Sequence, residues 1–557
     1  MFDWQRWEPS GICRHLRAAA IFTALLPGAA RAAITITAPS ISLPYSTSTQ
    51  SGIFEVWVQS TASPQTQVGA FNVEIQLPSF SSVTFPQPSP NSGSNTTPTV
   101  HPYIFPGQSP TEKAVNSGRT IQGTDNAEST VPTLGDGAGL LSVTASVPAG
   151  ATGFYPLTFV AYSPPQDVVG TVLFDQNNLP IATTDQNGSI TILPPTAYWR
   201  GSVDANWTTD NFQTGVTNWT IDSAGTTDTH IAPGASTDVF FIASGAANLN
   251  TTLGGDFSIK GLAFTSNATT SVTIGGGNTL TIGADGLTVQ AGSAAHTINA
   301  AVSLGGSQTW RVSNAAASPL TVGGTLRIPA SATLTKTDVG TLVIGGAPTF
   351  GNNSSLAVNG GAVKFNLTTG TATIGTGVTA TLAAGATLEL AGSVSALANG
   401  AARVNVTNSS TLAGGGLLIS GTNQQLGAVT GTGNLTVDAG SDLTVNSIVQ
   451  SALIIGGTST SKATVAIRPS DASGNPLADS LIGSLEQSSQ PFAAGLTGGE
   501  GTALPTSGAD SAASIFSGAS SSNFSSAGGS VPEPSTVLLA LVAAGLWFSA
   551  RLLTKSA

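Results

Sequence analysis

In FNVEIQL, residues 71–77, the apolar Phe71, Val73, Ile75 and Leu77 alternate with the polar Asn72, Glu74 and Gln76. A period of two places the first set on one face and the second on the other, the signature of a half-buried β-strand. FEVWV (54–58), LLSVTASV (140–147), YPLTFVAY (155–162), TVLF (171–174) and SITIL (189–193) repeat the pattern. Pro-Ala-Gly at 148–150 and Asn-Gly at 187–188 supply turn chemistry, the second read as a hairpin. Strands at this spacing predict a sandwich of two antiparallel sheets over residues 33–195. The Pro/Ser/Asn-rich segment 82–135 is expected to be a long surface insertion.

After Pro194-Pro195 the pattern changes. YWRGSVDANWTTDNFQTGVTNWT (198–220) gathers Trp199, Trp207 and Trp219 between short polar turns. SVTIGGGNTLTIGADGLTVQAG, PLTVGGTL, LTKTDVGTLVIGG and NLTVDAGSDLTV then recur as short β-runs with small polar corners. This texture predicts a parallel β-helix over residues 196–470, on the order of a dozen coils of about 20–25 residues around a thin apolar core. Gly and Asn are expected at the corners for their left-handed backbone. The tryptophans are expected to cap the first coil. Of the neighbours Leu342 and Val343, one must face inward.

Composition narrows the function. Only 8% of the 557 residues are charged, 66 are glycine, and the net charge is −11. That balance argues against nucleic acid, which needs clustered Lys and Arg, and against electrostatic adhesion to an anionic membrane surface. Residues 1–32 read as a secretory signal: Arg6, Arg14 and Arg17 make a basic start, Ala18 to Ala30 an apolar run, and Ala30-Arg31-Ala32 a small-x-small cleavage site. Cleavage removes Cys13, the one cysteine, so the mature chain has no thiol for a disulfide or a Cys-ligated metal.

Candidate chemistry is sparse, and no cofactor is expected. From Val302 to Ser470 the carboxylates are Asp338, Glu389, Asp438 and Asp442, with no histidine among them. General acid–base work needs at least two titratable groups at the scissile bond. Asp204, Asp210, Asp222, Asp228, Asp238 and Asp256 are denser but lie in turn-like contexts, and His101, His230 and His296 lack metal-ligand spacing. Asp185-x-Asn187-Gly188 resembles half a calcium loop without its closing carboxylate. GTGVTA (375–380) has no helix to receive a phosphate. Trp57, Trp199, Trp207 and Trp219, with Tyr155 and Tyr162, are the candidates for stacking on sugar rings, weighed against a role in the core.

Residues 471–530 are Ser/Gly/Ala-rich and read as a flexible linker, with one short helix expected at 479–487. The tail 531–557 sets Val531-Pro532-Glu533-Pro534-Ser535-Thr536 before 14 uncharged residues, Val537 to Ala550, and then Arg551 and Lys555. A spanning helix needs about 20 apolar residues, so this is a short anchor; a C-terminal core helix is the alternative. The order of motifs resembles the PEP-CTERM sorting signal, with fewer arginines at its end than is usual. The resemblance implies recognition by an exosortase, transient inner-membrane anchoring, and delivery to the cell surface or an extracellular polysaccharide matrix.

Two further resemblances concern the body. VGAFNVEIQLP (68–78), GLLSVTASVPAGATGFYPLTF (139–159) and NGSITI (187–192) resemble the cohesin-like and carbohydrate-binding sandwiches, which implies a binding or spacer module. LTKTDVGTLVIGG (334–346) resembles the autotransporter-associated β-strand repeat, with Asp338 where that repeat has its first Gly. The expected fold is all-β: a sandwich, a parallel β-helix or β-solenoid, and a short C-terminal anchor helix. The expected function is a non-enzymatic surface or matrix protein, with a glycan-binding adhesin module and a polysaccharide-degrading β-helix as alternatives.

Overall fold

The computed structural model describes residues 34–468, apart from 62–65, 88–97, 129, 135–136, 164–169, 212–215, 413–414 and 459, together with the strands Gly483–Glu486 and Phe492–Gly495. The signal segment with Ala30 and Ala32, most of the linker, and the tail with Val531, Pro532, Glu533, Pro534, Ser535, Thr536, Arg551 and Lys555 lie outside the described residues. Among the described residues no helix is long and apolar enough to cross a membrane.

The first body is a β-sandwich. One sheet orders its strands Thr184–Gln186, Ile34–Thr37, Gln50–Ser60, Ala138–Val147. The other runs Pro180–Ile181, Val172–Phe174, Ala70–Gln76, Gly153–Phe159, Gly188–Ile192, Ser40–Leu43. Alternation fixes what lies between them: Ile36, Phe54, Val56 and Val58 from the first sheet meet Val73, Ile75, Leu157 and Ile190 from the second. Each such side chain contributes about 1.5–3 kcal/mol when fully buried.

Three expectations change here. The segment 82–135 is no mere insertion, because Thr111–Val115 and Thr120–Asn126 add to the strand Ala70–Gln76, and Val83, Phe85, Ile104 and Phe105 enter the core. The outer side of that strand is covered too: Asn72 donates to the Gly170 carbonyl, and Glu74 accepts from the Gly170 amide at 2.8 Å. Asn187-Gly188 is not a hairpin but a crossing between sheets. Thr184–Gln186 runs parallel to Ile34–Thr37 in one sheet, and Gly188–Ile192 runs parallel to Ser40–Leu43 in the other.

The second body is a β-solenoid that begins at Thr196. Its first pair, Thr196–Trp199 with Trp219–Thr220, is antiparallel; from Asp238–Phe241 onward successive coils pair in parallel. Each middle coil has three strands, for example Leu326–Ile328, Thr333–Thr337 and Thr341–Ile344. The first two kinds of strand merge into one bent 18-stranded sheet, while the third kind forms an 11-stranded sheet. Register in that third face advances by between 18 residues, from Leu417 to Leu435, and 29 residues, from Leu388 to Leu417. Inward positions hold Leu, Ile and Val, and Leu342 is buried whereas Val343 is not.

The last coil is closed by strands from the span read as linker. Gly483–Glu486 pairs antiparallel with Thr464–Ile467, and Phe492–Gly495 pairs antiparallel with Ala452–Ile455. A strand therefore stands where a helix was expected at 479–487, and an exposed edge is covered.

Glycine serves two purposes at the corners. Gly377 has the expected left-handed backbone, with φ of 70°. Gly346 and Gly392 do not; they are small because the coils touch there. A Cβ on Gly346 would fall against the Gly324 carbonyl oxygen, and one on Gly392 against that of Leu367. Gly346→Ala is therefore expected to lower stability by about 1–3 kcal/mol, as overpacking does. Gly345→Ala, where the nearest atom is 3.8 Å away, should cost far less. Urea midpoints of the two variants check this.

Candidate functional site

Three of the four candidate tryptophans are interior. Trp199, Trp207 and Trp219 have no exposed surface. They meet edge to face at 4.9 Å, and Phe241 and Phe257 pack around them. Each indole N–H is satisfied: Trp199 donates to the Ala247 carbonyl at 3.0 Å, Trp207 to Thr251 Oγ1 at 3.0 Å, and Trp219 to the Trp207 carbonyl at 3.1 Å. A ring without accessible area offers no face to a sugar, so the stacking role is withdrawn for these three. They plug the first coil. Tyr155 is likewise core, its hydroxyl donating to the Thr152 carbonyl at 2.7 Å.

Trp57 lies on the outer face of the four-stranded sheet and stacks on His101 with ring centroids 4.8 Å apart. The loop bearing His101 is fixed by Glu55, whose carboxylate accepts from the amides of Thr99, Val100 and His101. Burial raises the Glu55 pKa, but these three amide donors outweigh it and leave the carboxyl below its usual range. Gly139 provides the seat, because a Cβ there would strike Pro98. Ile53, two residues from Glu55, is 63% exposed, and Val100 is 78% exposed. The result is a pinned apolar patch on a face otherwise made of Thr, Ser and Gln.

The residues that sequence reading missed are the outward neighbours of the interior aromatics. Tyr198 and Phe240 sit on strands whose Trp199 and Phe241 point inward, and they are half-buried on the outer face. They are register partners with ring centroids 4.8 Å apart and planes 18° apart. Beside them Lys260 Nζ lies 3.1 Å from Asp238 Oδ2 and 2.5 Å from Asp285 Oδ2. Strict alternation across TAYW and DVFF would have found both rings.

Three of the denser carboxylates, Asp204, Asp222 and Asp228, act as caps. Asp204 accepts from the Asn206 amide, Thr209 Oγ1 and Asn218 Nδ2; Asp222 accepts from the amides of Thr226 and Thr227. Asp228 accepts from the Thr217 and His230 amides. Burial, with Asp228 nearby, pushes Asp210 up to about 6. His296 is buried against Phe264 at 4.3 Å, and burial pushes it down to about 4. Its Nδ1 accepts from the Val272 amide at 3.1 Å, which makes it a core residue. Asp185 accepts from Thr183 Oγ1, and Asn187 accepts from the Phe159 amide, so the half calcium loop is tied up locally. Among the described residues no group of three or more His, Cys, Asp or Glu is placed to hold a metal ion.

No protein-family model and no curated protein matches the chain. Among solved structures, it is similar to a non-cellulosomal cohesin from the hyperthermophilic archaeon Archaeoglobus fulgidus, at 20% identity over 29% of this chain and 91% of that one, with a TM-score of 0.18. A type II cohesin domain from the cellulosome of Acetivibrio cellulolyticus matches at 14% identity over 29% of this chain and 95% of that one, with a TM-score of 0.20. A cohesin–dockerin complex from Clostridium thermocellum matches at 8% identity over 29% and 99%, with a TM-score of 0.19. Strand order and the shared core between its two sheets define the sandwich.

Proposed function

We propose that this is an exported, non-enzymatic protein of the cell surface or exopolysaccharide matrix, delivered by an exosortase through its tail. The observation that carries the reading is the tail itself, in which Val531–Thr536, an apolar run and Arg551 with Lys555 follow in order. Two prolines keep the recognition stretch extended, the short run parks it in the bilayer, and the basic residues stay cytoplasmic. The body supports it: two closed β-units, with several of the denser carboxylates engaged as caps rather than facing a common cleft. A binding role for the sandwich is a second reading, favoured by the pinned patch of Ile53, Trp57, Val100 and His101.

Replacing Pro532, Glu533 and Pro534 together by Ala is the test. In a host with an exosortase, intact mass should show the parent chain cut near the Pro-Glu-Pro region and the variant uncut, held in the inner-membrane fraction. Deleting Val537–Ala550 should instead release soluble protein, since little is then left to hold the chain at the bilayer. Efficient processing of the triple-Ala variant would sink the sorting assignment.

A further inference from the structure

We propose that the outer face of the first solenoid coils, built from Tyr198, Phe240, Asp238, Lys260 and Asp285, binds an uncharged β-1,4-linked hexopyranose chain. Two rings 4.8 Å apart and 18° from parallel cannot lie flat side by side on the sheet, because their edges would collide. They stand face to face, turned toward the neighbouring strands. Phe240 therefore has one face against Tyr198 and the other toward the next strand, where its register partner is only Ala263. The strand after that places Thr288 beside Ala263.

A notch one strand wide is left between Phe240 and Thr288. Its span of two strand spacings is about 9.6 Å. One saturated ring in van der Waals contact at about 3.5–4 Å on each side fills it. A β-1,4-linked glucose ring suits the notch because both of its faces carry axial C–H bonds, the surface that packs on an aromatic face.

Polar groups stand at one end of the same notch. Gly261, two residues before Ala263, is overhung by Asp238 and Asp285; a Cβ there would meet Asp238 Oδ1 at 2.7 Å and Asp285 Cβ at 2.9 Å. Lys260 holds those two carboxylates in place. Two acceptors and one donor group are the hydrogen-bonding complement of vicinal hydroxyls, and polar groups of this kind fix orientation in ligand sites. Two carboxylates face Lys260 at one end and Arg311 stands one strand beyond Thr288, so the charges around the notch balance and suit a neutral chain. The assignment deepens the matrix reading but does not use the tail, so the two fail separately: one is scored by mass, the other by heat of binding.

Calorimetry on the full secreted chain, with cellohexaose as probe and hexagalacturonate as charged control, tests it. Saturable cellohexaose binding is expected, with little or none for the control. Phe240→Val should weaken it at least about tenfold, the scale of a truncated hot spot. Ala263→Leu fills the notch with an outward side chain, and should abolish binding while the thermal transition stays in place. Lys260→Met, at the exposed end, gives an independent loss if either ring variant fails to fold. Absent cellohexaose binding overturns the proposal. So does wild-type affinity in folded Ala263→Leu, or equal affinity for hexagalacturonate.

Discussion

Leu342→Asp is expected to destabilise the solenoid by about 4–5 kcal/mol or more, the range reached when a charge is buried without a partner. Leu342 has no exposed surface and stacks between Leu320 and Val363 in the third face. Its register partners in the coils above and below offer a carboxylate only hydrocarbon. Val343→Asp is the matched control, because its side chain points the other way and should cost under about 1 kcal/mol. In a body of this size each kcal/mol shifts the melting temperature by about 2–4 °C, so the first variant should melt about 8–20 °C below the parent. Circular dichroism melts of the pair decide it, and equal melting temperatures would mean the register is wrong.

Lys336→Ala should cost nearly as much, about 3–5 kcal/mol, although it removes a charge. Lys336 is fully buried, on the inward side with Leu334. Its ammonium donates to the carbonyls of Asp338 at 2.6 Å, Gly340 at 2.5 Å and Gly360 at 3.0 Å, tying one corner to the next coil. Alanine leaves a cavity and weakly satisfied carbonyls; Lys336→Met keeps the volume and should cost about 1–3 kcal/mol.

The same site predicts a pH dependence. Burial pushes the Lys336 ammonium down to about 8 from 10.5, with Asp338 partly opposing. The folded chain thus releases this proton first, and between those values the unfolded chain holds more protons. Stability from this site therefore rises with pH across the window, by at most about 1.4 kcal/mol per pH unit. The difference in urea midpoint between wild type and Lys336→Met should grow from pH 8 to 10.5. A flat difference would mean that the three carbonyls offset the cost of burial.

Much of the fold was legible because parity is local. Alternation in FNVEIQL, LLSVTASV and LVI places each side chain once the strand is granted, and the short β-runs with small corners were enough for a solenoid. What stayed hidden depends on contacts distant in sequence. Thr111–Val115 carries Glu112 and Lys113 and lies within a Pro-rich stretch; it forms a hairpin with Thr120–Asn126, and that hairpin is held by pairing with Ala70–Gln76, far back in the chain. Glu74 looked solvent-facing because its cover, Gly170, lies 96 residues away. Trp199 was weighed by its side-chain chemistry, whereas parity with Ala197 turns it inward, as parity with Leu334 turns Lys336.

The joint between the two bodies has a mechanical consequence. Leu193-Pro194-Pro195 is short and held: Thr237 Oγ1 donates to the Pro194 carbonyl at 2.7 Å, the Asp238 amide to the Pro195 carbonyl at 2.9 Å, and Thr152 Oγ1 to the Thr229 carbonyl at 2.8 Å. A pull on the sandwich therefore reaches the stack of coils instead of being absorbed at a hinge. Strands in the stack run across its axis, so axial load falls on the inter-coil hydrogen bonds a few at a time. Such a stack yields by peeling, one coil after another. Each coil of 18 to 29 residues then pays out about 60–100 Å of chain, at roughly 3.3–3.6 Å per residue. A sandwich carried on this stack would be tethered by a brake that lengthens in steps under tension.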